Sequence, residues 1–144
     1  MFKRNSLPCV GILLIALSSS FFLQNLSAAE LSVKVKDIKK IQGHLLVALY
    51  SSKESYDDGE TPLASKVKVA SNEHLVVFKD IPTGQYAVKL YHDDNDNNEL
   101  DSNLFGIPSE GYGFSNNGGQ FGSPDYKEAK FEVMDKTSIE VNLL

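Results

Sequence analysis

The sequence predicts an all-β protein, an antiparallel β-sandwich of about seven strands, on three observations. Hydrophobicity alternates with a period of two in several short segments, turn residues separate those segments at short intervals, and no segment holds the 3.6-residue period of an amphipathic helix. Leu31, Val33 and Val35 alternate with Ser32, Lys34 and Lys36, a strand with one buried face. The run from His44 to Ser51 (HLLVALYS) is apolar on both faces and suits a more central strand. Val67 and Val69 alternate with lysines, and His74 to Phe78 (HLVVF) is rich in β-branched and aromatic residues. Asp80-Ile81-Pro82-Thr83-Gly84 supplies turn chemistry, and the strand Gln85 to Tyr91 follows it. Near the C-terminus Ala129, Phe131 and Val133 form one alternating set and Ile139, Val141 and Leu143 another, with Asp135-Lys136 as a tight connection. A helical turn inside Ser52 to Ser65 would be a loop decoration, since Asp57, Asp58 and Gly59 favour a turn.

The N-terminus has the order of a secretory signal peptide. Lys3 and Arg4 precede an apolar run from Val10 to Leu17, a second apolar patch covers Phe21 to Leu23, and the small residues Ser27, Ala28 and Ala29 close the segment. Cleavage after Ala29 places small residues at the last position and two before it, whereas cleavage after Ala28 puts Leu26 there. Serines interrupt the apolar stretch, which is short for a span of about 20 residues, so stable membrane insertion is not expected after processing. The expected organisation is a signal peptide over residues 1–29 and one sandwich domain over residues 30–144, periplasmic or secreted.

Processing would remove Cys9, the single cysteine, so the domain must hold together through its core or a metal, not a disulfide. It would also remove Lys3 and Arg4, leaving 12 basic residues against 19 acidic, a net charge of −7. No basic cluster follows, which argues against a nucleic-acid partner. Hydrophobic residues at 42 % and charged residues at 23 % match an ordinary globular chain and exclude wholesale disorder.

The sharpest chemical signal is His92-Asp93-Asp94-Asn95-Asp96-Asn97-Asn98-Glu99-Leu100-Asp101. Asp93, Asn95, Asn97 and Asp101 occupy positions one, three, five and nine, as in the DxDxDGxxD class of calcium loops, and the backbone carbonyl of Glu99 stands at position seven. Ca²⁺ takes 6 to 8 hard oxygen ligands, and a tightly wound loop turns alternate side chains inward to supply them. Asn98 stands at position six where Gly is usual, and Leu104 stands at position twelve in place of a bidentate Glu. Two readings stay open, a weak Ca²⁺ site and a rigid turn whose Asx side chains cap their own backbone.

The second unusual feature is the stretch from Ser102 to Tyr126, with six glycines among Phe105, Tyr112, Phe114, Phe121 and Tyr126. A segment of this length without regular structure is uncommon and often functional. Its aromatics either pack down over one end of the sandwich or offer a stacking surface, Tyr112, Phe114, Asn116 and Phe121 being the candidates for a glycan, a peptide or an envelope protein.

Asp80-Ile81-Pro82-Thr83-Gly84-Gln85-Tyr86, Tyr91-His92-Asp93 with Leu100-Asp101, Phe105-Gly106-Ile107-Pro108, Glu110 to Asn117 and Phe121-Gly122-Ser123-Pro124 together resemble the bacterial family known as domain of unknown function 2141. The likeness runs from about Leu31 to Leu144, with Asp96 and Asn98 standing where glycines are expected. It implies a small exported β-sandwich and brings no activity with it. The Pro-Thr-Gly-Gln-Tyr turn is also similar to transthyretin-like and carboxypeptidase regulatory-like modules, which implies an immunoglobulin-like or prealbumin-like arrangement and says little about function.

Catalysis has little support. His44, His74 and His92 fall on or beside different strands without paired metal-ligand spacing, and Gly113-Phe114-Ser115-Asn116-Asn117 lacks the second Gly of a nucleophile elbow. The expectation is an exported, non-catalytic sandwich in which the Asp93 to Asp101 loop either binds Ca²⁺ or forms a rigid turn.

Overall fold

The computed structural model describes residues 28–60 and 63–144. The predicted signal peptide lies outside the described residues except for Ala28 and Ala29, which already belong to the first strand. The predicted cleavage point after Ala29 therefore falls inside that strand.

The chain forms the predicted all-β sandwich, with eight strands in two sheets among the described residues. In the smaller sheet β1 (Ala28–Lys36) lies between β4 (His74–Pro82) and β8 (Lys136–Asn142). It runs antiparallel to β4 and parallel to β8, so that Val33 faces Val76 on one side and Ile139 on the other. The larger sheet has the order β3 (Leu63–Lys68), β2 (His44–Tyr50), β5 (Gly84–Asp93) and β6 (Tyr112–Phe114), with neighbours antiparallel. The short β7 (Phe131–Val133) pairs with Gly84 to Tyr86 of β5.

The period-two residues read from the sequence make the core. Leu31, Val33 and Val35 of β1, Val76 and Phe78 of β4 and Val141 of β8 pack against Leu45, Val47 and Leu49 of β2 and Val88 and Leu90 of β5. Their polar alternates face outward, where Lys34 pairs with Glu73 and Lys36 with Glu140. Pairs this exposed are screened by water and contribute little, so burial of the apolar set holds the sheets together.

The structure adds elements that periodicity did not reveal. β6 arises within the Gly-aromatic segment expected to lack regular structure, because Lys89 to Tyr91 of β5 pairs with it. The helical turn expected after Ser52 is α1 (Lys53–Asp58), capped by Ser52 Oγ accepting from Ser55 N–H and ended by Gly59 at φ 75°. A second turn of helix, α2 (Tyr126–Ala129), starts at Asp125, whose side chain accepts from Glu128 N–H. In β4 the predicted turn residue Asp80 sits instead in a bulge at φ 56°, where the pairing with β1 shifts register between Ala29 and Leu31.

Ser115, fully buried, joins β5 to the segment before β7. Its Oγ accepts from Val88 N–H at 2.9 Å and donates to Ala129 O at 2.5 Å. A side chain thus substitutes for strand pairing between β6 and β7.

Candidate metal loop and ligand surface

Asp93 ends β5 with no exposed surface. Its Oδ1 accepts from Asn97 N–H at 3.1 Å and its Oδ2 from Asn98 N–H at 2.9 Å, which winds residues 94–98 into a tight loop around the carboxylate. Asp96 at φ 62° and Asn98 at φ 63° take the left-handed conformation at the two positions where glycine was expected, a conformation Asp and Asn adopt more readily than most residues. Asn95 Oδ1 accepts from Asn97 N–H at 3.0 Å, and Asn97 Oδ1 from Glu99 N–H at 2.9 Å. Asn95 Nδ2 donates to Asp101 Oδ2 at 2.6 Å, and Asn97 Nδ2 lies 3.2 Å from both Asp101 oxygens. The four predicted side-chain donors thus share one network, and Glu99 contributes backbone while its side chain is exposed.

Residues outside the loop hold it in place. Glu110, 7 % exposed, accepts Asp94 N–H on Oε1 at 2.9 Å and Asp101 N–H on Oε2 at 3.0 Å, so one carboxylate fastens both ends. Gly43, at φ 65°, passes so close that a Cβ there would lie 2.0 Å from Asp93 O. Gln42 Nε2 donates to Asp94 O at 3.0 Å, Tyr91 Oη to Asn98 O at 2.9 Å, and Lys40 forms an ion pair with Asp94. Lys66 Nζ donates to Asn98 Oδ1 at 2.5 Å and stands 4.0 Å from Asp93 Oδ2. His44 beside Asp96 holds that carboxyl below its ordinary pKa, with the charges of Lys66 and Lys68 acting in the same direction.

Chemically, the loop offers hard oxygen only. Asp93 and Asp101 supply carboxylates, Asn95 and Asn97 supply amide oxygens that each use one of two lone pairs on a backbone N–H, and Glu99 has a backbone carbonyl. No group of three or more His, Cys, Asp or Glu side chains suited to a metal occurs among the described residues, so a cation here would draw on the asparagines. That donor set suits Ca²⁺ and not a transition metal.

The predicted ligand residues separate into two places. Tyr112 and Phe114 lie on β6 with their rings edge to face, 6.1 Å between centroids, and line a recess on the outer face of the larger sheet. Asn116 is occupied structurally, its Nδ2 donating to Glu128 O at 2.8 Å and Lys130 O at 3.1 Å. Phe121 is fully exposed beside a separate depression formed by residues 116–124. Leu104 and Phe105 are also exposed, on a turn that Asn103 Oδ1 holds by accepting from Phe105 and Ile107 N–H.

The three histidines do not meet. His92 Nε2 lies 2.7 Å from Gln42 O, His74 Nε2 accepts from Ala70 N–H, and His44 faces Asp96.

The family model described as an uncharacterized protein conserved in bacteria, domain of unknown function 2141, matches residues 33–141. The chain belongs to this family. The matched span takes in the acidic loop, the Gly-aromatic segment and most of both sheets of this family member. No curated protein and no solved structure matches it. Among the described residues no helix is long and apolar enough to cross a membrane.

Sequence reasoning missed Glu110, Gly43, Lys66 and Lys89. Glu110 alone left a trace, as the one acidic residue in the run from Leu104 to Pro124.

Proposed function

We propose that this family member is an exported, non-catalytic β-sandwich module in which the Asp93 to Asp101 loop takes up Ca²⁺ as a structural ion. The observation that carries this reading is the winding of the loop. A wholly buried Asp93 gathers Asn97 and Asn98 N–H, two left-handed residues tighten the turn, and the side chains of Asn95, Asn97 and Asp101 join in one network. A loop of this spacing must adopt that winding before alternate oxygens can share one ion. Export is supported by the order of charge, apolar run and small residues at the N-terminus. The non-catalytic reading is supported by the engagement of His74 and His92 with backbone and of Ser115 with Val88 and Ala129.

The test is thermal unfolding of the chain expressed from Met1, in the form that accumulates, with CaCl₂ from micromolar to about ten millimolar and MgCl₂ as control. Extracellular sites with Kd of about 10⁻⁴ to 10⁻³ M give roughly 1.4 to 2.7 kcal/mol at ten millimolar ion. The expected result is a calcium-specific rise in Tm of roughly 5 °C or more, strongly reduced in Asp101→Asn. No rise at ten millimolar, or the same rise in the variant, overturns the proposal and leaves the loop as a polar turn.

A second reading, an extracytoplasmic glycan- or peptide-binding module, is favoured by the full exposure of Leu104 and Phe121 within the 104–124 segment. Under it, Phe121→Ser lowers co-sedimentation with peptidoglycan sacculi or capture of an envelope peptide without changing Tm.

A further inference from the structure

The outward face of a sandwich sheet is ordinarily polar, because water covers it. In the larger sheet two cross-strand rows on that face are apolar but for one lysine. Leu46 of β2 stands opposite Tyr91 of β5, which stands opposite Tyr112 of β6, and Ala48 stands opposite Lys89, which stands opposite Phe114. Farther along the same face, Tyr50 and Ala87 are covered by Tyr56 of α1 and Ala129 of α2, which together form a second small core. The cover stops there. Ala48 packs against the edge of that core, and from it across Leu46 the face stays open as a recess of about 580 Å³, walled on one side by Leu100 of the acidic loop. That volume lies within the range of about 300 to 1,000 Å³ usual for small-molecule sites.

Lys89 stands where the covered half meets the open half. Its Nζ donates to Tyr56 O at 2.6 Å and lies 3.9 Å from the Tyr56 ring centroid and 5.2 Å from that of Tyr50. Among the described residues no carboxylate lies within ion-pair distance of it, and burial pushes its pKa down. An ammonium group has three N–H donors, and the Tyr56 carbonyl takes one. Withdrawing a cation from water onto an apolar floor is costly unless an anion or dipole compensates it. Lys66 at the opposite end is already engaged by Asn98 and Asp93. The recess therefore joins an apolar floor to an ammonium group that the Tyr56 carbonyl, two tyrosine rings and the more distant Asp57 stabilise in part, but that meets no carboxylate at ion-pair distance among the described residues.

We infer that the recess on the outer face of the larger sheet binds a small amphipathic carboxylate, its apolar body lying over Leu46, Ala48 and Tyr91 and its carboxylate meeting Lys89. A lone ammonium without an arginine or a helix N-terminus beside it suits a monovalent carboxylate better than a phosphate. A floor of Leu, Ala and aromatic edges suits an alkyl or aryl group better than a sugar. The inference stands independently of calcium in the acidic loop.

The test is titration calorimetry of the chain expressed from Met1 with decanoate, held below its micellar concentration in chelator-treated buffer, with decanol as the uncharged probe. The expected result is saturable one-to-one binding of decanoate, at least tenfold weaker binding of decanol, and at least tenfold loss of decanoate affinity in Lys89→Met. That substitution removes the charge and keeps an unbranched apolar stem. Ala48→Phe fills the recess and is expected to abolish binding of both probes. Absence of saturable decanoate binding overturns the inference, as does equal affinity for acid and alcohol, or an unchanged affinity in Lys89→Met. The acid-versus-alcohol comparison needs no variant, so the inference is decided even if a substituted chain fails to fold.

Discussion

Asp93 and Asp101 read alike in the sequence, and the structure predicts that they respond differently to substitution. Asp93→Asn keeps the shape of the side chain but replaces one acceptor oxygen with an NH₂ group facing a backbone N–H of the loop. One charge-assisted hydrogen bond to a fully buried carboxylate disappears, which costs about 1.5 to 3 kcal/mol, and a backbone donor faces another donor. Removing a buried charge offsets part of this, and the contact with the partly exposed Lys66 at 4.0 Å adds little. The net loss is therefore about 2 to 3 kcal/mol. A domain of this size shifts by roughly 4 °C per kcal/mol, giving a fall in Tm of roughly 8 to 12 °C. Among the described residues the Asp101 side chain accepts only from the amides of Asn95 and Asn97 at the surface, so Asp101→Asn costs less than about 1 kcal/mol. The assay is thermal unfolding in EDTA followed by circular dichroism, with hydrogen exchange at the Asn97 and Asn98 amides as a local readout. Equal losses in the two variants, or an Asp93→Asn variant within 2 °C of wild type (about 0.5 kcal/mol by the same conversion), would refute the reasoning. Asp101, not Asp93, is accordingly the residue on which a metal effect can be separated from a folding effect.

Two further outcomes follow from buried hydroxyl groups. Ser115→Ala strips the partner from Val88 N–H and Ala129 O in a fully buried position and is expected to cost about 1 to 3 kcal/mol, read as a lowered urea midpoint with an unchanged m-value. Alkaline unfolding is expected above about pH 10, because burial pushes Tyr56 up to about 12 and raises Tyr50, Tyr86, Tyr91 and Tyr126 in the same direction. The unfolded chain releases these protons near the free tyrosine pKa of about 10, so the stability they contribute is complete below that pH and is lost as pH rises through the folded values. Lys89 acts in the opposite sense, since its depressed pKa makes deprotonation favour the fold up to the ordinary lysine value of 10.5. Denaturant midpoints and tyrosinate absorbance between pH 9 and about pH 12 check this, and a flat profile contradicts it.

Much of the fold was legible because strand periodicity is local. Leu31, Val33 and Val35 announce a half-buried strand within six residues, and the structure places them in the core. The parallel pairing of β1 with β8 was not legible, since alternation gives the face a residue occupies and not the direction of its neighbour. β6 escaped notice for another reason. Three residues, Tyr112, Gly113 and Phe114, are too few to carry a period, and they become a strand only because β5 offers them an edge. The acidic loop was visible through Asx spacing, a local pattern, whereas its supports are not local. Gly43 is fifty residues from Asp93, outside any window of sequence, and Glu110, though only nine residues from Asp101, is reached across a loop with no periodicity that would point its carboxylate back.

The apolar character of β2 on both faces is the point at which fold and function are entangled in the sequence. A strand apolar on both sides is usually sandwiched between layers, and β2 does lie inside its sheet, between β3 and β5. Its outward residues are not treated alike, however. Tyr50 is buried by Tyr56, whereas Leu46 and Ala48 stay only partly buried beneath an open recess. Packing accounts for Tyr50 and in part for Ala48, which lies against the same small core, and leaves Leu46 beneath the open recess. A sandwich needing only stability would gain solubility from polar residues there, as β1 shows with outward Ser32, Lys34 and Lys36. Leu46, set on an open face beside a lysine with no carboxylate at ion-pair distance among the described residues, is accordingly better explained by the ligand recess inferred above than by the needs of the fold.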